Sequence, residues 1–160
     1  MTTSAETKRP PAVGHAAPAF SLPSTSGASV SLADFRDRKH VLLAFFPLAF
    51  TSTCTAELCG FTDDFDRFAG QDVAVLPVSV DSIPTLQEFK TKYTMKVDLL
   101  SDFKRVASRD YGVLLEETFF STRAYFLIDR AGTVRWSFVE ANPGHRRENA
   151  EILAAIAELG

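Results

Sequence analysis

The sequence predicts an α/β fold: a mixed central β-sheet flanked by helices, with an N-terminal β-hairpin. Three observations predict it. Residues 41–46, Val41-Leu42-Leu43-Ala44-Phe45-Phe46, form an unbroken apolar run, the pattern of a strand buried on both faces. Leu58, Phe61, Phe65 and Phe68 then recur at spacings of three and four, the stripe of a helix packed on a core. A second apolar run at residues 73–80 completes a βαβ unit, whose two strands must run parallel.

The other elements follow in order. Phe20-Ser21-Leu22 and Ser29-Val30-Ser31-Leu32 flank a Ser/Gly-rich turn and read as the hairpin. The first apolar strand closes at Pro47, and the helix after it carries Cys54 one turn ahead of its stripe. Ser82 and Pro84 mark a further helix start, with Leu86, Phe89 and Tyr93 on its inner face. A helical stretch over residues 103–111 ends at Gly112, a good C-terminal cap. Residues 125–128 and 134–138 are joined by a short Gly-containing connection, so they form an antiparallel hairpin. Ile152, Leu153, Ile156 and Leu159 mark a terminal helix.

The chain of 160 residues suits one hydrophobic core. The expected organisation is a flexible tail over residues 1–12 and a single domain over 13–160. A 46% hydrophobic and 23% charged composition is that of an ordinary globular chain, and a net charge of -3 excludes a basic nucleic-acid surface. No run is long and apolar enough to span a bilayer, and residues 1–12 contain no apolar signal core. The cytoplasm is therefore the expected compartment, with no nucleic-acid or membrane partner. Two cysteines are too few for a disulfide scaffold; they are either small buried hydrophobes or redox groups.

The segment Pro47-Leu48-Ala49-Phe50-Thr51-Ser52-Thr53-Cys54 carries the chemistry. It leaves the carboxyl end of a buried strand, where open α/β sheets bind ligands, and enters a helix. Thr51, Ser52 and Thr53 are all good N-cap residues, which puts Cys54 in the first turn. There the unpaired backbone amides and the helix dipole favour the thiolate, the nucleophilic form of cysteine. Thr51 has a hydroxyl that can both donate to and accept from a peroxide. A nearby guanidinium can hold the second oxygen and lower the thiol pKa further.

Pro47, Thr51 and Cys54 stand in a P-x-x-x-T-x-x-C arrangement that resembles the peroxiredoxins of the AhpC/TSA superfamily. From about Val13 to its end the chain is most similar to the AhpE-like and bacterioferritin-comigratory (PrxQ) branches. The run Cys54-Thr55-Ala56-Glu57-Leu58-Cys59 resembles their active-site helix. Val78-Ser79-Val80-Asp81-Ser82, Leu99-Leu100-Ser101-Asp102, Tyr111-Gly112-Val113 and Arg123-Ala124-Tyr125-Phe126-Leu127-Ile128-Asp129 resemble later segments in the right order. The resemblance implies a thioredoxin-like fold and a thiol peroxidase reducing hydrogen peroxide and organic hydroperoxides, without a metal or other cofactor. It makes Cys54 the peroxidatic cysteine, Thr51 its hydrogen-bond partner, Pro47 the shield of the pocket and Arg123 the active-site arginine. Glu57 either orients that arginine, as the resemblance suggests, or stabilises the helix start as a first-turn carboxylate.

Cys59 lies five residues after Cys54. On a regular helix that is an advance of about 7.5 Å and a Cα separation of roughly 8–9 Å, beyond the roughly 7 Å that a disulfide tolerates. Either Cys59 is a core residue, or the first turn unwinds in each cycle. The PrxQ-like pattern implies the second, with Cys59 resolving the sulfenic acid on Cys54 as an intramolecular disulfide recycled by thioredoxin or a glutaredoxin-like donor. A one-cysteine peroxidase is the alternative within the family. Outside it stand a redox sensor and a disulfide oxidoreductase, though the latter typically carries C-x-x-C rather than C-x-x-x-x-C. The family includes monomers and homodimers, and the Leu48-Ala49-Phe50 loop tips the expectation towards the dimer. Trp136 reads as core. His15, His40 and His145 lack metal spacing, and His145-Arg146-Arg147 reads as a solvated helix entrance.

Overall fold

The computed structural model describes residues 8–142 and 144–159. An antiparallel hairpin, β1 (Ser21–Pro23) and β2 (Ser29–Ser31), opens the fold and is followed by a 3-10 turn over Leu32–Phe35. Next come β3 (His40–Phe45), α1 (Ser52–Asp63), α2 (Phe65–Ala69), β4 (Val73–Ser79), α3 (Ile83–Tyr93), β5 (Leu100–Ser101) and α4 (Val106–Asp110). The chain continues through β6 (Leu114–Leu115), β7 (Phe120–Ser121), β8 (Ala124–Ile128), β9 (Val134–Val139) and α5 (Asn149–Ala157).

The central sheet has the order β5-β4-β3-β8-β9. β3 runs parallel to β4 and antiparallel to β8, so the sheet is mixed, and all six of its residues are buried. Strand alternation divides the core in two. Leu42, Ala44, Tyr125 and Leu127 face the cluster filled by Leu58 and Phe61 of α1, Phe89 of α3 and Ile152 of α5. Val41, Leu43, Phe45 and Phe126 face the other cluster, with Leu22, Ala107 and Tyr111. Cys54 belongs to the first cluster, which fixes the sheet face on which the chemistry sits.

Three expectations need correction. The single helical stripe from Leu58 to Phe68 is two helices, broken at Asp64 (φ -100°, ψ 15°). The break is tertiary: the Asn149 side chain donates to both the Gly60 carbonyl and the Asp64 carboxylate at 2.9 Å, tying the end of α1 to α5. The helix expected over 103–111 is only Val106–Asp110, because the Asp102 carboxylate accepts from the amides of Ala107 and Ser108 and caps it late. The strands β5, β6 and β7 were not foreseen; each has two residues, too few to show a period. Of the expected tail, residues 1–7 lie outside the described residues. Lys8 pairs with Asp110 at 2.8 Å, and residues 8–10 run against Gly112.

Candidate active site

The loop from β3 to α1 is held from several sides. The Phe46 amide donates to the Val78 carbonyl at 2.9 Å, and the Ser121 hydroxyl donates to the Phe46 carbonyl at 3.2 Å. The Ala49 amide donates to Asp81, which also accepts from Ser79. Pro47 is buried beneath this loop, Leu48 and Ala49 are half-buried and Phe50 is exposed. Phe50 takes a left-handed backbone (φ 67°), rare for a bulky residue, and its ring rests on Phe89 at 4.8 Å. This reversal turns the chain from the carboxyl end of β3 into α1.

Thr51 is the N-cap of α1 by backbone conformation, and its carbonyl accepts from the Thr55 amide at 2.9 Å. Its side chain does not cap: the exposed hydroxyl donates to the Leu48 carbonyl at 2.8 Å. The first-turn amides are left without a side-chain cap. Cys54 is the third helical residue and its side chain is fully buried.

Arg123 sits just ahead of β8 and is 1% exposed. Its Nη2 donates to Cys54 Sγ at 3.0 Å, and its Nη1 pairs with Glu57 Oε1 at 3.1 Å. Burial alone would make the guanidinium easier to deprotonate, but Glu57 and Cys54 outweigh it and hold its pKa above the ordinary value. Arg123 therefore stays charged and faces two acids at once. Burial pushes the Glu57 carboxyl above its usual value, with Arg123 and a hydrogen bond from Tyr125 pulling the other way. Glu57 lies in the second turn of α1, not the first, and is buried, so an exposed helix-start carboxylate does not describe it.

Cys59 is half-buried on the same unbroken helix, and both cysteines are free thiols. Burial pushes the Cys59 thiol up, and Asp63 adds to the effect. No group of three or more potential metal ligands occurs among the described residues. No helix among them is long and apolar enough to cross a membrane.

Sequence reasoning missed Tyr125 and Arg147. The Tyr125 hydroxyl donates to Glu57 Oε2 and accepts from the Arg147 amide at 3.0 Å. A signal for Tyr125 was present: it lies two residues beyond Arg123, whose carbonyl still accepts from the Glu140 amide at 2.9 Å, so the extended alternation of β8 puts both on one face. The helix entrance around Arg147 is not simply solvated. Its guanidinium pairs with buried Glu140 at 2.6 Å and lies 4.0 Å over the Phe138 ring.

A thiol at the start of a helix, on a mixed sheet and under a buried arginine, defines a thioredoxin-like thiol enzyme. Comparison with known proteins is more specific. The AhpC/TSA family model matches residues 13–137, and the chain belongs to that family; it is a peroxiredoxin, a thiol peroxidase. It is 37% identical over 149 residues to alkyl hydroperoxide reductase E of Mycobacterium tuberculosis, covering 92% of this chain and 97% of the relative. It is 36% identical over 131 residues to peroxiredoxin Bcp of Escherichia coli, covering 78% and 83%. Among solved structures, the reduced 2-Cys peroxiredoxin of Plasmodium vivax superposes with a TM-score of 0.87 at 35% identity, covering 94% of this chain and 82% of that one.

Proposed function

We propose that Cys54 is the peroxidatic thiol of this peroxiredoxin, attacking hydrogen peroxide and small organic hydroperoxides. The observation that carries the reading is the Arg123 guanidinium, 3.0 Å from a sulfur in the first turn of α1. In the reaction the thiolate bonds to one peroxide oxygen as the O–O bond breaks. The departing oxygen takes both electrons of that bond and then a proton, leaving as water or an alcohol. Cys54 is left as a sulfenic acid. Arg123 stabilises the thiolate before attack and the developing oxyanion during it. Thr51 offers its hydroxyl to the peroxide once it turns from the Leu48 carbonyl, and buried Pro47 shields the sulfur from bulk water.

Cys59 is proposed as the resolving thiol. It attacks the sulfenic sulfur, forming an S–S bond and releasing water, after α1 unwinds at its first turns. Thioredoxin or a glutaredoxin-like dithiol then supplies two electrons to regenerate both thiols. A second reading is favoured by one observation: burial and Asp63 keep Cys59 protonated while the helix is intact. On that reading an external thiol resolves Cys54 directly. The two free thiols suit a reducing compartment such as the cytoplasm. The exposed Phe50 beside the site supports the dimer over the monomer.

The test is NADPH-coupled peroxide turnover with thioredoxin and its reductase, run on wild type, Cys54→Ser and Cys59→Ser. The proposal expects no turnover by Cys54→Ser, and a single turnover ending in a trapped sulfenic acid for Cys59→Ser. Full turnover by Cys59→Ser with thioredoxin alone overturns the resolving role. Undiminished turnover by Cys54→Ser overturns the whole reading.

A further inference from the structure

We propose that Tyr125 is a positioning residue for the Cys54 sulfur: by holding one carboxylate oxygen of Glu57, its hydroxyl confines Glu57 to a single-point contact with Arg123 and keeps the second guanidinium nitrogen on the thiol. The inference rests on Cys54 being the peroxide-reducing thiol. Its argument is one of competition. A carboxylate beside a guanidinium favours a two-pronged pair, with both oxygens taken by two parallel N–H groups. Here Glu57 Oε1 meets Arg123 Nη1 at 3.1 Å, while Nη2 reaches the sulfur at 3.0 Å. The second oxygen, Oε2, is taken by the Tyr125 hydroxyl.

The phenol is built to donate in that direction. Its oxygen accepts the Arg147 amide at 3.0 Å, so its one proton is left for Glu57. Burial and the facing carboxylate push the phenol pKa far up, so that proton stays in place. The ring is fully buried, 6.3 Å from Trp136, and its hydroxyl is placed by the two hydrogen bonds it makes. The charged groups around the cluster are Arg123 ahead of β8, Glu57 on α1, and Arg146 and Arg147 ahead of α5. Glu140 after β9 and Glu151 on α5 engage the Arg147 guanidinium, at 2.6 and 3.5 Å.

The test uses a Cys59→Ser background, so that one thiol titrates. Thiolate absorbance near 240 nm and the rate of peroxide consumption are followed from pH 5 to 9, with thermal melts as the folding control. Tyr125→Phe keeps the ring and removes the hydroxyl; it is expected to move the pH–rate profile to higher pH, slowing attack on its acid side about three- to tenfold. The same change in a Glu57→Gln background is expected to add nothing further, because Tyr125 acts through Glu57. Trp136→Phe, which disturbs the packing of the ring and not its hydroxyl, is expected to leave the profile in place. A Tyr125→Phe profile that superimposes on the parent or moves to lower pH overturns the proposal. So does an equal shift in Trp136→Phe, or an undiminished shift in the Glu57→Gln background. The peroxidase reading fails by a different sign, namely peroxide consumption that survives Cys54→Ser.

Discussion

Replacing Arg123 with Met removes the guanidinium that touches both Cys54 and Glu57, and two separable losses follow. Arg123 is 1% exposed and lies within 3.1 Å of both partners, so no solvent screens the loss. The first loss is the donor that holds the sulfur and steadies the departing oxygen; deleting one such preorganised donor costs about a hundred- to a thousandfold in rate. The second loss is stability. Breaking a buried pair by deleting one partner costs about 3–5 kcal/mol, which at 2–4 °C per kcal/mol is a fall of roughly 6–20 °C in Tm. Adding Glu57→Gln removes the orphaned carboxylate, so the double variant recovers most of the Tm while activity stays low. Calorimetry and stopped-flow peroxide consumption read the two effects independently. A double variant that regains both stability and rate, or an Arg123→Met whose rate at pH 7 is unchanged, would refute the argument.

Further outcomes follow from the same structure. Wild-type protein treated with one equivalent of peroxide should lose about two mass units as the disulfide forms, whereas Cys59→Ser should gain one oxygen; intact-mass spectrometry distinguishes them. Gly112→Ala should lower stability by about 1–2 kcal/mol for its left-handed backbone alone. Gly112 has φ +66° and an added Cβ would lie 2.5 Å from the Arg9 backbone, so a melt matching wild type would contradict this. Burial alone would raise the Asp129 carboxyl, but the amides of Thr133 and Ala131 together with Arg135 hold it below 3.8. A depressed folded pKa stabilises above the unfolded value and is lost as pH falls through the folded one. Wild type should therefore lose stability on acidification below about pH 4. Asp129→Asn should flatten that slope in urea melts taken from pH 7 to 2.5.

What the sequence made legible was local. The two parallel strands, the helix carrying Cys54, the cap at Ser82 and the β8–β9 hairpin are each written in a period or a turn signal within a dozen residues. The Ser82 cap shows this most simply, since its hydroxyl accepts from the Thr85 amide just three residues on. The break at Asp64 was not legible because Asn149, 85 residues away, imposes it. The hydroxyl of Thr51 donates to a local carbonyl, that of Leu48, a contact that no spacing announces. Arg123 came from family resemblance; nothing in its spacing distinguishes it from the other arginines. Only the fold sets it at Cys54, 69 positions away in sequence. Tyr125 and Arg147 stayed hidden for a similar reason. A tyrosine in a buried strand looks like core until its hydroxyl is seen to meet a carboxylate from another element.

The central claim is that the sulfur beside Arg123 is the one a peroxide oxidises. The most direct measurement traps the sulfenic acid with a dimedone-type reagent after one equivalent of hydrogen peroxide, in the Cys59→Ser protein, and maps the adduct by peptide mass spectrometry. A near-stoichiometric adduct on the Cys54 peptide, formed far faster than on free cysteine, is the predicted result. An unlabelled Cys54 peptide, or labelling no faster than that of free cysteine, would contradict the account.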